Sequence, residues 1–89
     1  MIEETLKINN KHGLHARPAA QFVKIAGRFT SDIKVIKDGF EVNGKSIMGI
    51  MMLAAEPGSE IILMINGDDE QEAMQALREL IHNKFYEED

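Results

Sequence analysis

The sequence predicts an α+β fold of βαββαβα order: a four-stranded antiparallel sheet, strand order 1-4-2-3, with three helices on one face. Three observations lead there. Apolar residues alternate along short segments and recur at helical spacing along others, which separates strands from helices. An Asp-Gly pair, residues 38 and 39, joins two of the strands as a hairpin. Two strands linked by a helix need a right-handed crossover, and a gap between them lets the last strand slot in antiparallel to both neighbours. Eighty-nine residues support one domain, 1–89, with one modest core.

Each element has its own local reason. EETLKI, residues 3–8, alternates with Leu6 and Ile8 on one face and reads as a strand. From Ala16 to Ala26, Ala19, Val23 and Ala26 recur at helical spacing beside Phe22, and Gly27 stands where a helix stops in the left-handed conformation. DIKVIK (32–37) and FEVN (40–43) flank Asp38-Gly39, the pair that suits a type I′ turn. Ser46 opens a short apolar helix, and Glu56, Pro57 and Gly58 supply a turn. EIILMI, 60–65, is rich in β-branched residues and reads as a well-buried strand. In the last helix Asp69 and Glu72 resemble a capping box, and Ala73, Leu77, Leu80, Ile81 and Phe85 form the apolar stripe. The sheet face opposite the helices, with Lys34, Ile36, Ile62 and Met64, is expected to stay partly open.

Composition narrows the function classes. The net charge is −5, yet Lys11, Arg17, Lys24 and Arg28 lie in a stretch without acids, whereas residues 68–89 hold eight acids and two basic residues. An acidic chain without paired strand aromatics is a poor nucleic-acid binder, while a local basic face suits phosphate or an acidic protein partner. There is no cysteine, hence no disulfide or thiolate metal site. The apolar runs are too short for membrane insertion, and MIEETLKI carries no secretory pattern, so a cytoplasmic protein is expected.

The chemistry concentrates in NKHGLHARPAAQF, residues 10–22. If a helix begins at Ala16, His15 is its N-cap and hangs over the first unbonded amides at the positive end of the dipole. An anion carried on that ring meets ready donors there. Pro18 falls in the first turn, where its missing N–H costs nothing, and Leu14 staples onto Ala19. His12 reads as a loop residue, and His12 with His15 falls short of a metal-ligand set. Ser46 is a good cap for the helix beginning at Ile47. Since Ile47, Met48, Ile50, Met51, Met52 and Leu53 surround that helix, some must be exposed unless a neighbouring helix or the sheet absorbs them; an exposed set would make an adaptable contact patch.

GLHARPA, the hairpin, NGKSIMGIMMLA and GDDEQEAMQAL, at matching spacing along essentially the whole chain, resemble the HPr family, histidine phosphocarriers of the bacterial phosphotransferase system. The resemblance implies an open-faced β-sandwich. It also implies that the chain is a carrier rather than an enzyme: His15 takes phosphate at Nδ1 from enzyme I, itself charged by phosphoenolpyruvate, and passes it to IIA components of sugar transporters, with no cofactor and in monomeric form. Arg17 matches the arginine that steadies the phosphoryl group, and the amides of Ala16 and Arg17 match the helix-end donors. Ile47, Met48 and Met51, with Ala20, Lys24 and Lys45, match the partner-binding surface. Ser46 matches the serine modified by HPr kinase/phosphorylase, through which a transcriptional regulator is engaged. The acidic tail IHNKFYEED resembles instead the ending of the nitrogen-branch paralogue, NPr.

Overall fold

A computed structural model describes residues 1–87. The chain runs β1 (Ile2–Lys7), α1 (Ala16–Ala26), β2 (Asp32–Lys37), β3 (Phe40–Asn43), α2 (Ile47–Met52), β4 (Glu60–Asn66) and α3 (Glu70–His82), followed by a short turn, Lys84–Tyr86. The strands form one sheet in the order β1-β4-β2-β3, every neighbouring pair antiparallel. Leu6 lies opposite Ile61, and Val35 lies opposite both Leu63 and Val42. This is the open two-layer architecture expected.

The register decides which residues enter the core. Because side chains alternate across a strand, Ile33, Val35, Ile61, Leu63 and Ile65 all turn to the helices and are buried. They pack with Ala19, Phe22 and Ala26 of α1, Ile50 of α2, and Ala73, Met74, Leu77, Leu80 and Ile81 of α3 in one continuous cluster. At about 25 cal/mol per Å² of apolar surface, this cluster is the main stabilising term. On the opposite face Lys34 is exposed, while Ile36, Ile62 and Met64 are half-buried. The hairpin turns at Asp38 (φ 51°) and Gly39 (φ 82°), both positive as a type I′ turn requires.

Three local expectations give way to tertiary structure. Gly27 caps α1 in the right-handed region, φ −67°, with its amide bonded to the Val23 carbonyl. The helix therefore ends without a left-handed glycine. Asp69 does cap α3, but its carboxylate makes no bond to its own helix. It accepts instead from the amides of Thr30 and Ser31, at 2.9 and 3.0 Å, and from both hydroxyls. The Ser31 side-chain bond first, then the Thr30 amide, hold the Asp69 carboxyl down at about 2. Four donors on the loop before β2 outcompete the capping box, and Asp69 becomes a strut between α1's exit and α3.

The third departure concerns Phe85. The apolar stripe continues to it in sequence, yet α3 stops at His82, and Lys84, Phe85 and Tyr86 take left-handed backbone angles, φ 55°, 57° and 56°. Such a conformation costs an L-residue roughly 1–2 kcal/mol. Full burial of the Phe85 ring offsets part of that cost, with about 1.5–3 kcal/mol for an aromatic side chain. The reversal turns the C-terminal segment back over the loop between β1 and α1.

Candidate functional site

The segment that carries His15 is pinned on both sides. Ile8 pairs with the turn before β4: its amide donates to the Ser59 carbonyl at 2.8 Å, and its carbonyl accepts from Gly58 at 2.7 Å. Gly13 then takes φ 71°, and a Cβ there would lie 2.1 Å from the Ala55 carbonyl oxygen, so only glycine fits. The buried Asn10 amide nitrogen donates to the Gly13 carbonyl at 2.8 Å. Leu14 is buried in the same core cluster as Ala19. The chain leaves this anchor with one extended residue, His15 (φ −80°, ψ −170°), and enters α1.

His15 is the N-cap of α1, exposed, and makes no side-chain cap bond. The first intrahelical bond runs from the Ala19 amide to the His15 carbonyl, 2.9 Å, so the amides of Ala16 and Arg17 precede it and face the cap region. Pro18 is buried in the first turn, where it removes no bond. Arg17 and Gln21, one turn apart on α1, line the same open pocket as Lys11, His12 and His15, about 540 Å3 in volume. His12 lies in a loop, is exposed, and stands beside His15. Their rings meet edge to face with centroids 5.5 Å apart.

The other wall of the pocket was not foreseen from sequence. The left-handed turn carries Glu87 onto the loop, where its Oε2 lies 3.0 Å from His15 Nε2. Its Oε1 accepts from Asn10 Nδ2 at 2.9 Å. The Asn10 bond is the largest influence on this carboxyl and, with the His15 contact, holds it below the usual carboxylate range despite partial burial. Asn10 Oδ1 is buried without a partner among the described residues, which costs about 1–3 kcal/mol. The only signal in the sequence was the acidity of the tail, and it gave no hint of where that acid would land. Glu88 and Asp89 of the same tail lie outside the described residues.

A second cluster lies across the α1–α2 contact. Ser46 caps α2, accepting the Gly49 amide on Oγ at 3.0 Å. The helix buries Ile50, with Leu53 just beyond it, and leaves Ile47 and Met51 well exposed and Met48 and Met52 still more so, at 74% and 64%. Neither the sheet nor a neighbouring helix absorbs them. Ala20 and Lys24 are exposed on α1, which packs against α2. Lys45 is the odd member: its ammonium donates to the Phe29 carbonyl at 2.7 Å, which occupies it away from Ser46.

Residues 2–83 match the family described as the PTS HPr component phosphorylation site. The chain belongs to the HPr family. That family is the HPr phosphocarrier component of the phosphotransferase system. The phosphocarrier protein HPr of Treponema pallidum is 48% identical over 99% of this chain and 100% of its own. The HPr-like protein Crh of Halalkalibacterium halodurans is 57% identical over 86% of this chain and 92% of its own. The crystal structure of HPr-C-His from Thermoanaerobacter tengcongensis superposes with a TM-score of 0.96, at 55% identity over the whole of both chains. The HPr fold is thus shared from end to end. Among the described residues no helix is long and apolar enough to cross a membrane.

Proposed function

We propose that His15 accepts a phosphoryl group from phosphorylated enzyme I in the cytoplasm and passes it to IIA components of sugar permeases, the protein acting as a stoichiometric carrier. The observation that carries this reading is the cap position of His15: an exposed imidazole at a helix start, with no cap bond of its own and with Arg17 on the same pocket. A phosphoryl group on Nδ1 is an anion at the positive end of a dipole, where the amides of Ala16 and Arg17 and the Arg17 guanidinium stabilise it. Histidine suits the task because its phosphoramidate bond is reactive enough to hand phosphate on. Partners dock on Ala20, Lys24, Ile47, Met48 and Met51, beside the phosphate. Lys45, engaged at Phe29, contributes less.

Ser46 is the regulatory position in this reading. A phosphate there adds about −1.5 to −2 charges at a helix start that tolerates them, and it confronts acidic partner faces with repulsion, weakening docking without refolding. Incubation with enzyme I and phosphoenolpyruvate yields one acid-labile phosphate, absent from His15→Ala. Equal labelling of that variant would sink the assignment.

A second reading is favoured by the exposed α2 patch and by the similarity to the HPr-like protein Crh: an interaction module, switched at Ser46 by HPr kinase/phosphorylase, that binds a transcriptional regulator. It predicts that Ser46→Asp changes capture of that regulator while His15→Ala does not. The acidic tail keeps a nitrogen-branch acceptor in view, and transfer to purified sugar-type against nitrogen-type IIA proteins separates the two.

A further inference from the structure

The C-terminal segment makes an unusual excursion to reach the site. Three consecutive non-glycine residues adopt left-handed angles, a buried aromatic locks the reversal, and the next residue, Glu87, ends on the imidazole. Its side chain is only 12% exposed, against 41% for His15. Two bonds fix Asn10 in turn. Its Nδ2 faces two acceptors, the Gly13 carbonyl and Glu87 Oε1, so the amide cannot flip without setting oxygen against oxygen. A rigid loop thus holds an asparagine, the asparagine holds a carboxylate, and the carboxylate meets one chosen nitrogen of the histidine.

We infer that Glu87 is a positioning residue for phosphoryl transfer: it holds the proton of His15 on Nε2, so that Nδ1 presents its lone pair to phosphorus. An ionised carboxylate only accepts hydrogen bonds, so a nitrogen 3.0 Å from it carries the hydrogen. The imidazole ring has one such proton when neutral, which leaves Nδ1 bare. A carboxylate that orients a histidine and fixes its tautomer serves in the same way in hydrolytic triads and behind metal-bound imidazoles.

The proton bookkeeping of the step, which rests on the carrier reading above, follows directly. The Nδ1 lone pair attacks phosphorus on the donor, the Nδ1–P bond forms, the donor's N–P bond breaks, and the donor ring departs with that electron pair. The phosphorylated His15 ring still holds its Nε2 proton and carries positive charge, which Glu87 faces. In the onward step the Nδ1–P bond breaks and the pair returns to Nδ1, so the ring leaves as neutral imidazole. Without the Nε2 proton it would have to leave as imidazolate, a far poorer leaving group. The proton never moves in either direction. Glu87 and the phosphate sit on different edges of the ring, so the two anions do not compete for one place.

Other ionisable groups lining the pocket are Lys11, His12 and Arg17, with the Tyr86 hydroxyl nearby. The Lys11 and Arg17 cations oppose a cationic ring, and Glu87 is the acid that lines this pocket among the described residues. Removing its charge should therefore act on the phosphorylated ring more than on the fold.

The test uses the full chain and Glu87→Gln, which keeps size and shape. In nitrogen-15 spectra the unphosphorylated wild type should show His15 protonated on Nε2 with Nδ1 bare. After phosphorylation by enzyme I and phosphoenolpyruvate, the pH at which the phosphohistidine ring loses its proton, followed by phosphorus-31 signals, should fall by about one unit in Glu87→Gln. Onward transfer at neutral pH should slow about tenfold, with the melting temperature unchanged. Titration and transfer indistinguishable between the two proteins would overturn the inference, and so would faster transfer in Glu87→Gln. Failure of the wild type to take phosphate on His15 would fall on the carrier reading instead. The nitrogen spectrum needs no phosphate, and a wild-type proton shared between Nδ1 and Nε2 would overturn the role of Glu87 by itself.

Discussion

The amide of Leu14 donates to the carbonyl of Ala55 across 2.9 Å, tying the residue before the N-cap histidine to the chain that leaves α2. The exposed patch on α2 and the histidine that caps α1 are thus joined through this bond and through the packing of α1 on α2. In the proposed carrier role, a partner docked on α2 would meet His15 at a defined place, the condition under which positioning lowers a transfer barrier.

Gly13 makes that bond possible, so Gly13→Ala should be costly. A methyl group would strike the Ala55 carbonyl oxygen at 2.1 Å and would sit at φ 71°. The expected loss is about 2 kcal/mol or more in urea denaturation, with weaker transfer in whatever fraction stays folded. An unchanged midpoint would show that the loop relaxes freely.

Phe85→Ala should separate the tail from the site. Removing this fully buried ring is expected to cost about 3–5 kcal/mol and to release the left-handed turn. Hydrogen exchange at Tyr86 and Glu87 should then speed up while α1 amides keep their relative protection. Uniform loss of protection would mean that the turn is no separate unit.

Asp69 gives a pH signature. Its folded pKa, about 2, lies below the ordinary value, so the stability it contributes is present above about pH 4 and is lost as pH falls toward 2. Asp69→Asn should melt lower than wild type at pH 7, and the gap should close on acidification through that window. A gap that stays constant from pH 7 to pH 2 would contradict the strut between Asp69 and Ser31.

The exposed methionines should matter to binding alone. Met48→Glu alters a side chain that is 74% exposed, so folding stability should stay within about 0.5 kcal/mol. Calorimetric affinity for enzyme I should fall about tenfold or more, since an apolar anchor is replaced by a charge facing an acidic partner.

Arg17→Glu reverses charge at an exposed position on the pocket. Transfer should drop by about a hundredfold, as a charged hydrogen bond of about 1.5–3 kcal/mol becomes repulsion, while thermal stability barely moves. Parallel loss of both would contradict the role proposed for Arg17 in steadying the phosphoryl group.

Features that depend on a few neighbouring residues were legible before folding. Alternation located the strands, the Asp38-Gly39 turn the hairpin, and Ser46 and His15 the starts of two helices, because strand pleat, turn angles and helix ends are set by local sterics and unbonded amides. Proximity in space was decided only by the tertiary structure. Glu87 and His15 are 72 residues apart, and their meeting depends on a left-handed turn that pays off only when Phe85 finds the core. Asp69 likewise leaves its own helix for Ser31, 38 residues away, because four donors wait there. A helix cap is a local preference of about 1 kcal/mol, and the four donors that satisfy the Asp69 carboxylate elsewhere outweigh it.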